Sequence, residues 1–555
     1  MVPFVLWLSF EAFMLLACAT MAQCVRLREG RVWRLVFAPL VLVYASVPLS
    51  CALMGGNLFL PPRFASAAVG LAAGGLLLAA YVLWWNWRAT VLTREEFKRR
   101  NRARRWRYLG LYALMLLAPA GAYAWGLRSG RRALEATAVE ARAILVRPRG
   151  KTAETAAEAY RAIFRAIKKD SGFEEISSVE PETWPTGAEL TAFVAARAGR
   201  IARIEETACG PVPRFALESW DLAQVLGSRK EGRLYAGFRR SAILLNFAAE
   251  DAAMRGEAGR ALALLETKLR LGGHAGTIPG ITPNMLALAC SAPEKGTLVA
   301  VLEAAGPGDR AALARYAAAL SAARAGVGEA YARAVVADGA RHVLWFSAMA
   351  ENSPDLLGWD QEDLGRSVRW FLLPLYGRES CDRLLPRARA AAAALRKPFA
   401  EARREREALS SEKEFEGRTV GDFLLSFLTV GYDDFLKVRA RCEQYHAALE
   451  AACALRLHRL DRGKYPAALG ALAPAYLAAD VLDPEGPAQL LYERRGDGCR
   501  LFWWPWELGS TRYTIRDGEW IEKESPLVEP GEEIEEIRLD LAPEPEPEPD
   551  EENAP

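Results

Sequence analysis

The chain has 555 residues, 51% of them hydrophobic and 25% charged, with a formal net charge of +2. So even a balance excludes the broadly basic surface that binding to a phosphate backbone requires, and no nucleic-acid partner is expected. High apolar and high charged content in one chain implies that the two classes are segregated along it.

Four apolar windows fall in the first 127 residues, at Phe4 to Ala22, Leu35 to Met54, Ser66 to Trp87 and Tyr108 to Leu127. Each is close to the ~20 residues that cross a ~30 Å hydrocarbon core as a helix, so a four-helix transmembrane anchor is expected over 1–127. The first window lacks the basic start of a cleaved signal peptide and carries Glu11 within its apolar run. Gly70 and Gly74 form a small-xxx-small pair suited to close helix packing in the third span. The first connection holds Arg26, Arg28, Arg31 and Arg34, and the third holds nine Lys or Arg between Arg88 and Arg107, whereas the second has only Arg63. By the positive-inside bias, the first and third loops stay in the cytoplasm. The N-terminus and the large region after Leu127 are then extracytoplasmic, and the lipid bilayer is the first partner expected.

From 128 to 431 the chain is Ala-rich, with apolar residues three and four apart between Arg, Lys and Glu, which predicts an all-α array of helical hairpins. Breaks are expected at Ser171-Gly172, Pro181 to Gly187, Gly210 to Pro213, Gly272-Gly273 and Gly306 to Gly308. One pair, AILLNFAAEDAAMRGEAGRALALLETKLRLG, resembles a tetratricopeptide unit with its turn at Gly256.

A long helix is expected from Tyr432 through RARCEQYHAALEAACALRLHRLDRGKYP, stopped by Gly463 and Pro466. A short helix, AALGALAPAYL, and an Asp483-Pro484-Glu485-Gly486 turn follow. LLYERR, CRLFWWPW, TRYTIR and EWIEK alternate apolar and aromatic residues, separated by Gly496 to Gly498, Gly509 and Asp517-Gly518, and predict a small antiparallel sheet. Trp503, Trp504 and Trp506 either line a groove or pack the sheet on its helix. From 524 to 555 the chain is acidic and Pro-rich, with a net charge of −12 from Ile521 to Pro555, and a disordered tail is expected.

Catalytic signatures are absent: there is no HExxH, GxSxG or CxxC, and the four His stand apart from one another. No catalytic residue, cofactor site or metal site is therefore assigned. Cys209, Cys290, Cys381, Cys442, Cys453 and Cys499 read as small buried hydrophobes in preference to disulfide partners.

The order helix, L.RLD.G.YP, helix, DP.G, L.Y, strands resembles the globular part of type II secretion pseudopilins. Its carriers are Leu457, Leu460, Asp461, Gly463, Tyr465, Pro466, Leu469, Leu472, Asp483, Pro484, Gly486 and Tyr492. The resemblance covers 432–523 and implies an α+β module there. Major pseudopilins are similar also in a calcium-binding Asp-rich loop, but the corresponding stretch here has Asp517 as its only Asp, so calcium is not expected. The pilin start is missing as well: Phe10-Glu11 has no Gly processing site before it. Joined to the hairpins, the module resembles a group of bacterial membrane-anchored proteins. That likeness supplies no activity; with the usual catalytic signatures absent, a noncatalytic scaffold or assembly role among other envelope proteins at the bacterial inner membrane is the expectation. An extracytoplasmic, hydrolase-like enzyme is the alternative.

Overall fold

The structure is a computed structural model that describes residues 121, 124–145, 151–170, 185–213, 229–278, 280–351, 373–405, 409, 432–483, 486–487, 490–503, 512–516, 519–523 and 535–541. The expected spans lie outside the described residues, apart from the end of the fourth, and so do Gly70 and Gly74.

The described chain is mostly helical with a small sheet. Its helices are α1 (Lys151–Lys168), α2 (Gly187–Ala195), α3 (Ala198–Cys209), α4 (Arg229–Met254), α5 (Ala258–Ala275), α6 (Ile281–Ser291), α7 (Lys295–Ala304), α8 (Arg310–Glu351), α9 (Leu373–Leu395), α10 (Phe399–Arg404) and α11 (Tyr432–Arg462). A further helix occupies residues 124–145. The strands are β1 (Leu491–Arg495), β2 (Gly498–Trp503), β3 (Arg512–Arg516), β4 (Glu519–Lys523) and β5 (Glu535–Leu539). Among the described residues all pairings are antiparallel: β2 lies between β1 and β5, with Leu501 opposite both Tyr492 and Ile537, and β3 pairs with β4.

Two compact units divide the chain. One comprises residues 1–143, 339–387 and 410–431, and the other comprises 144–338, 388–409 and 432–555. In the second unit a single apolar core runs from Tyr160 in α1, through Leu244 and Leu265 in the α4–α5 hairpin and Leu455 in α11, to Ile537 and Leu539 in β5. The α4–α5 turn uses Gly256 at φ +73°, a conformation that Gly adopts without the penalty a Cβ would bring.

Several expectations are corrected here. The middle of α11 is buried on every side and shares its core with the Ala-rich helices: Ala447, Ala448, Leu449, Ala451, Ala452, Cys453, Ala454 and Leu455 are all 1% exposed or less. A helix apolar all round needs partners all round, and the Ala-rich helices supply them. The expected tail beginning at 524 is interrupted by β5, whose Ile537 and Leu539 are each 1% exposed. The short helix after Pro466 is a single 3-10 turn over Leu469–Leu472, since Pro474 cannot donate the hydrogen bond that would continue it. Gly272-Gly273 breaks nothing. It lies within α5, where a Cβ on Gly272 would stand 2.6 Å from the Ala287 carbonyl oxygen and 2.7 Å from Ser291 Cβ on α6. The missing side chain allows two helix backbones to touch.

The stretch Thr282–Ala304, 23 residues long, contains an 18-residue window of mean hydropathy 1.4, enough by length and composition to cross a membrane. It belongs to the core, because the chain bends at Ala292 between α6 and α7, and Leu298, Val301 and Leu302 are fully buried.

Gly272→Ala in the full-length, detergent-solubilised chain is expected to lose about 1–3 kcal/mol to overpacking. Gly199→Ala, on α3 with nothing within 4 Å of the new methyl, should be neutral or slightly stabilising. Thermal melts of the two variants check the contrast, and equal midpoints would refute the close approach.

Candidate functional site

Helices that end inside a protein leave carbonyl groups without intrahelical donors, and those groups must find donors elsewhere. In the second unit the donors are buried side chains of α5 and α11. Lys268, 3% exposed, donates from Nζ to the carbonyl of Ala292, the C-cap of α6, at 2.5 Å, and to Asn246 Oδ1 at 3.1 Å. Asn246 also accepts from the Glu294 amide at 3.1 Å and donates to Thr297 Oγ1 at 2.7 Å, which closes the link to α7. Arg456, 9% exposed, donates from Nη2 to the carbonyls of Glu303 and Ala305, both at 2.8 Å, at the end of α7. Arg439 donates from Nη1 to Leu395 O at 2.7 Å and to Lys397 O at 3.0 Å, at the end of α9. Tyr432 Oη reaches Ala402 O in α10 at 2.9 Å, and Tyr445 Oη reaches Pro293 O between α6 and α7 at 2.8 Å.

The Gly-x-Tyr-Pro turn joins this arrangement through Asp540. Gly463, at φ +70°, ends α11 and donates its amide to Arg459 O at 2.8 Å. Tyr465, 1% exposed, then points its hydroxyl at Asp540 Oδ2. The same oxygen accepts from Arg456 Nη1 at 3.0 Å and from Arg459 Nη1. Arg459 also donates to Asp497 O in the β1–β2 turn at 2.8 Å, and the Asp540 amide donates to Glu303 Oε1 at 2.8 Å. Gly498 makes room for this, because a Cβ there would stand 2.6 Å from Asp540 O. One residue thus joins α11 and the turn after it through its carboxylate, and α7 to the end of β5 through its amide.

The other residues singled out in the sequence lie around this hub. Asp461 accepts from Arg310 Nε at 2.7 Å and from Tyr476 Oη at 3.0 Å, and the guanidinium holds its carboxyl down to about 2. Pro466 presents its carbonyl to Tyr492 Oη at 2.7 Å. Asp483 accepts from the Gly486 amide at 3.0 Å, which forms the expected turn, while Pro484 lies outside the described residues. Trp503 does not line a groove. It is 2% exposed, with Tyr445 of α11 edge-on at a ring distance of 6.3 Å, and it packs the sheet on the helix. Trp504 and Trp506 lie outside the described residues.

Burial sets the protonation states. It pushes Lys268 down to about 8. His274, 6% exposed and 2.8 Å from Tyr160 Oη through Nδ1, is lowered to about 4, first by burial and then by the nearby charge of Arg270. His446, 5% exposed with no hydrogen-bond partner at either ring nitrogen, is also lowered to about 4; burial dominates, Arg324 adds to it and the Cys442 carbonyl opposes it. Glu443 is raised by burial against the pull of Arg439. Cys290, Cys442, Cys453 and Cys499 are buried and free, and Cys209 is exposed and free. Burial raises Cys290, Cys442 and Cys499 to about 12, so their thiols stay protonated. Among the described residues, no group of three or more His, Cys, Asp or Glu could hold a metal ion.

Sequence reading missed Lys268, Arg439, Arg456, Arg459 and Asp540. A signal existed for α11: its run from Ala447 to Leu455 is broken only by Glu450, so its remaining charges had to enter a core.

No protein-family model matches this chain, and no curated protein and no solved structure matches it either.

Two outcomes follow from these contacts. Asp540→Ala leaves Arg456, Arg459 and Tyr465 without their shared acceptor, and should cost about 2–4 kcal/mol. Ending the chain after residue 534 should cost at least as much, whereas ending it after 541 should cost almost nothing; urea titrations of the solubilised chain measure all three. The second outcome is acid lability. Each buried His has a folded pKa below its unfolded value, so protons favour the unfolded state. The stability is complete above about pH 6.5 and is lost as pH falls toward 4, at about 2 kcal/mol per His between pH 7 and 5. Melting midpoints across that range, for the wild type and for His446→Gln, should diverge at neutral pH and converge in acid. A gap independent of pH would contradict the assignment of His446.

Proposed function

We propose that this chain is a noncatalytic scaffold or assembly partner, held in a bacterial inner membrane by four N-terminal helices, with its helical hairpins and pseudopilin-like α+β region outside the cytoplasm. The observation that carries the reading is where the buried donors go. Lys268, Arg439 and Arg456 spend their hydrogen bonds on backbone carbonyls of their own fold, with side-chain acceptors beside them. A buried cation used this way secures a surface and leaves few donors for a substrate. The coverage of α11 supports the same reading. In a pilin the corresponding helix packs against other subunits, whereas here its Ala447–Leu455 face is occupied within the chain, so the function does not require filament assembly. Arrays of helical hairpins offer extended faces to other proteins, which is a fold-level argument for envelope proteins as partners.

Two measurements test this. With Cys209 replaced by Ser, a thiol reagent that cannot membranes should label Glu551→Cys in intact spheroplasts and miss Arg102→Cys; the reverse pattern would overturn the topology. Affinity purification of the solubilised chain should recover the same envelope proteins in a fixed ratio, and Asp540→Ala should weaken that recovery. Turnover of envelope substrates by the purified chain alone would favour the hydrolase-like enzyme.

A further inference from the structure

We infer that the start of the helix over residues 124–145 is a binding surface for anionic phospholipid headgroups, formed by Trp125, Arg128, Arg131 and Arg132. The inference rests on the membrane-anchored reading above, because the helix continues the apolar run Tyr108 to Leu127. Its two faces are distinct. Leu134, Ala138, Ala141 and Leu145 are buried at 3%, 2%, 0% and 4% exposure, whereas Arg128, Arg131 and Arg132 are exposed and Trp125 is 48% exposed.

At 100° per residue, Trp125, Arg128 and Arg132 fall within about 60° of one another, opposite the buried stripe, and Arg131 flanks them. The axial rise from Trp125 to Arg132 is about 10 Å, compared with a headgroup layer of roughly 5–7 Å on each side of the hydrocarbon core. An indole at the hydrocarbon edge therefore places Arg128 among the phosphates, and Arg131 and Arg132, one turn further out, reach back to them with their long side chains, so that all three guanidiniums can make bidentate contacts to phosphodiester oxygens. The basic run ends within one turn of the outer edge of that layer. No acid lies between Trp125 and Arg132, and the next charged residues are Glu135 and Glu140. Arg on this side of the membrane runs against the positive-inside bias, and a headgroup role accounts for its presence there.

The full chain, purified in neutral detergent, would be titrated with short-chain phosphatidylglycerol, short-chain phosphatidylcholine or inorganic phosphate, with bound molecules counted by native mass spectrometry. Phosphatidylglycerol should bind in clear preference to phosphatidylcholine. The preference should fall on the order of five-fold for each Arg replaced by Gln at 128, 131 and 132, the equivalent of about 1 kcal/mol per basic residue near an anionic surface. Arg142→Gln, two turns or more beyond the cluster, should leave it intact, and so should the triple Lys variant for the most part. Unchanged selectivity in the triple Gln variant, at an unchanged melting midpoint, overturns the inference. Binding of inorganic phosphate as strong as that of the lipid also overturns it, by assigning a free-anion site. Release of the wild-type chain from membranes by alkaline carbonate would instead remove the anchored reading on which the inference stands.

Discussion

The constraint on which the second unit depends is the termination of helices in its interior. An Ala-rich helix is easy to form and easy to bury, but each buried C-terminus leaves carbonyls that water cannot reach. Here α6, α7, α9 and α10 all meet α5 or α11 near those ends, and the donors are long side chains whose stems are apolar: Lys268, Arg439, Arg456, Tyr432 and Tyr445. A cation at a helix C-terminus also meets the negative end of the helix dipole. At Lys268, Arg439 and Arg456 charge, hydrogen bonding and burial of the stem act together.

This solution accounts for the composition of α11. Its buried Arg439, Glu450 and Arg456 look like interruptions of an apolar helix until their targets are known. Arg324 links Glu450, at 3.1 Å, to Asp480 at 2.9 Å, so even the acids of this helix are held by a neighbour. A helix whose middle is apolar on every side is thereby surrounded by other elements of its own chain.

Local chemistry was legible in the sequence, and long-range chemistry was not. Gly256 and Gly463 were readable as turns because positive φ is a property of one residue, and the strand pairs β1–β2 and β3–β4 were readable from alternation over five or six residues. Strand β5 was hidden by the acids around it, although Ile537, Leu539 and Leu541 alternate as a strand should. The tryptophan of the candidate groove was ambiguous because an aromatic run reads the same on either face of a sheet, and burial of Trp503 is decided by Tyr445 more than fifty residues earlier. Buried Lys and Arg were illegible in principle. A charge on a helix belongs to solvent unless a carbonyl from elsewhere meets it, and no pattern within the helix says that one will.

Asp540 follows every residue that it joins, from Glu303 to Tyr465. Order of synthesis therefore becomes order of completion. While the chain emerges, Arg456, Arg459 and Tyr465 are present without their acceptor, and β2 has β1 on one side and an open edge on the other. The closing strand and its aspartate are made last, so a nascent chain holds most of its core before it can lock it. Any factor that binds the unfinished protein has that open edge and those two arginines as marks of incompleteness, and both vanish in one step when the last strand adds.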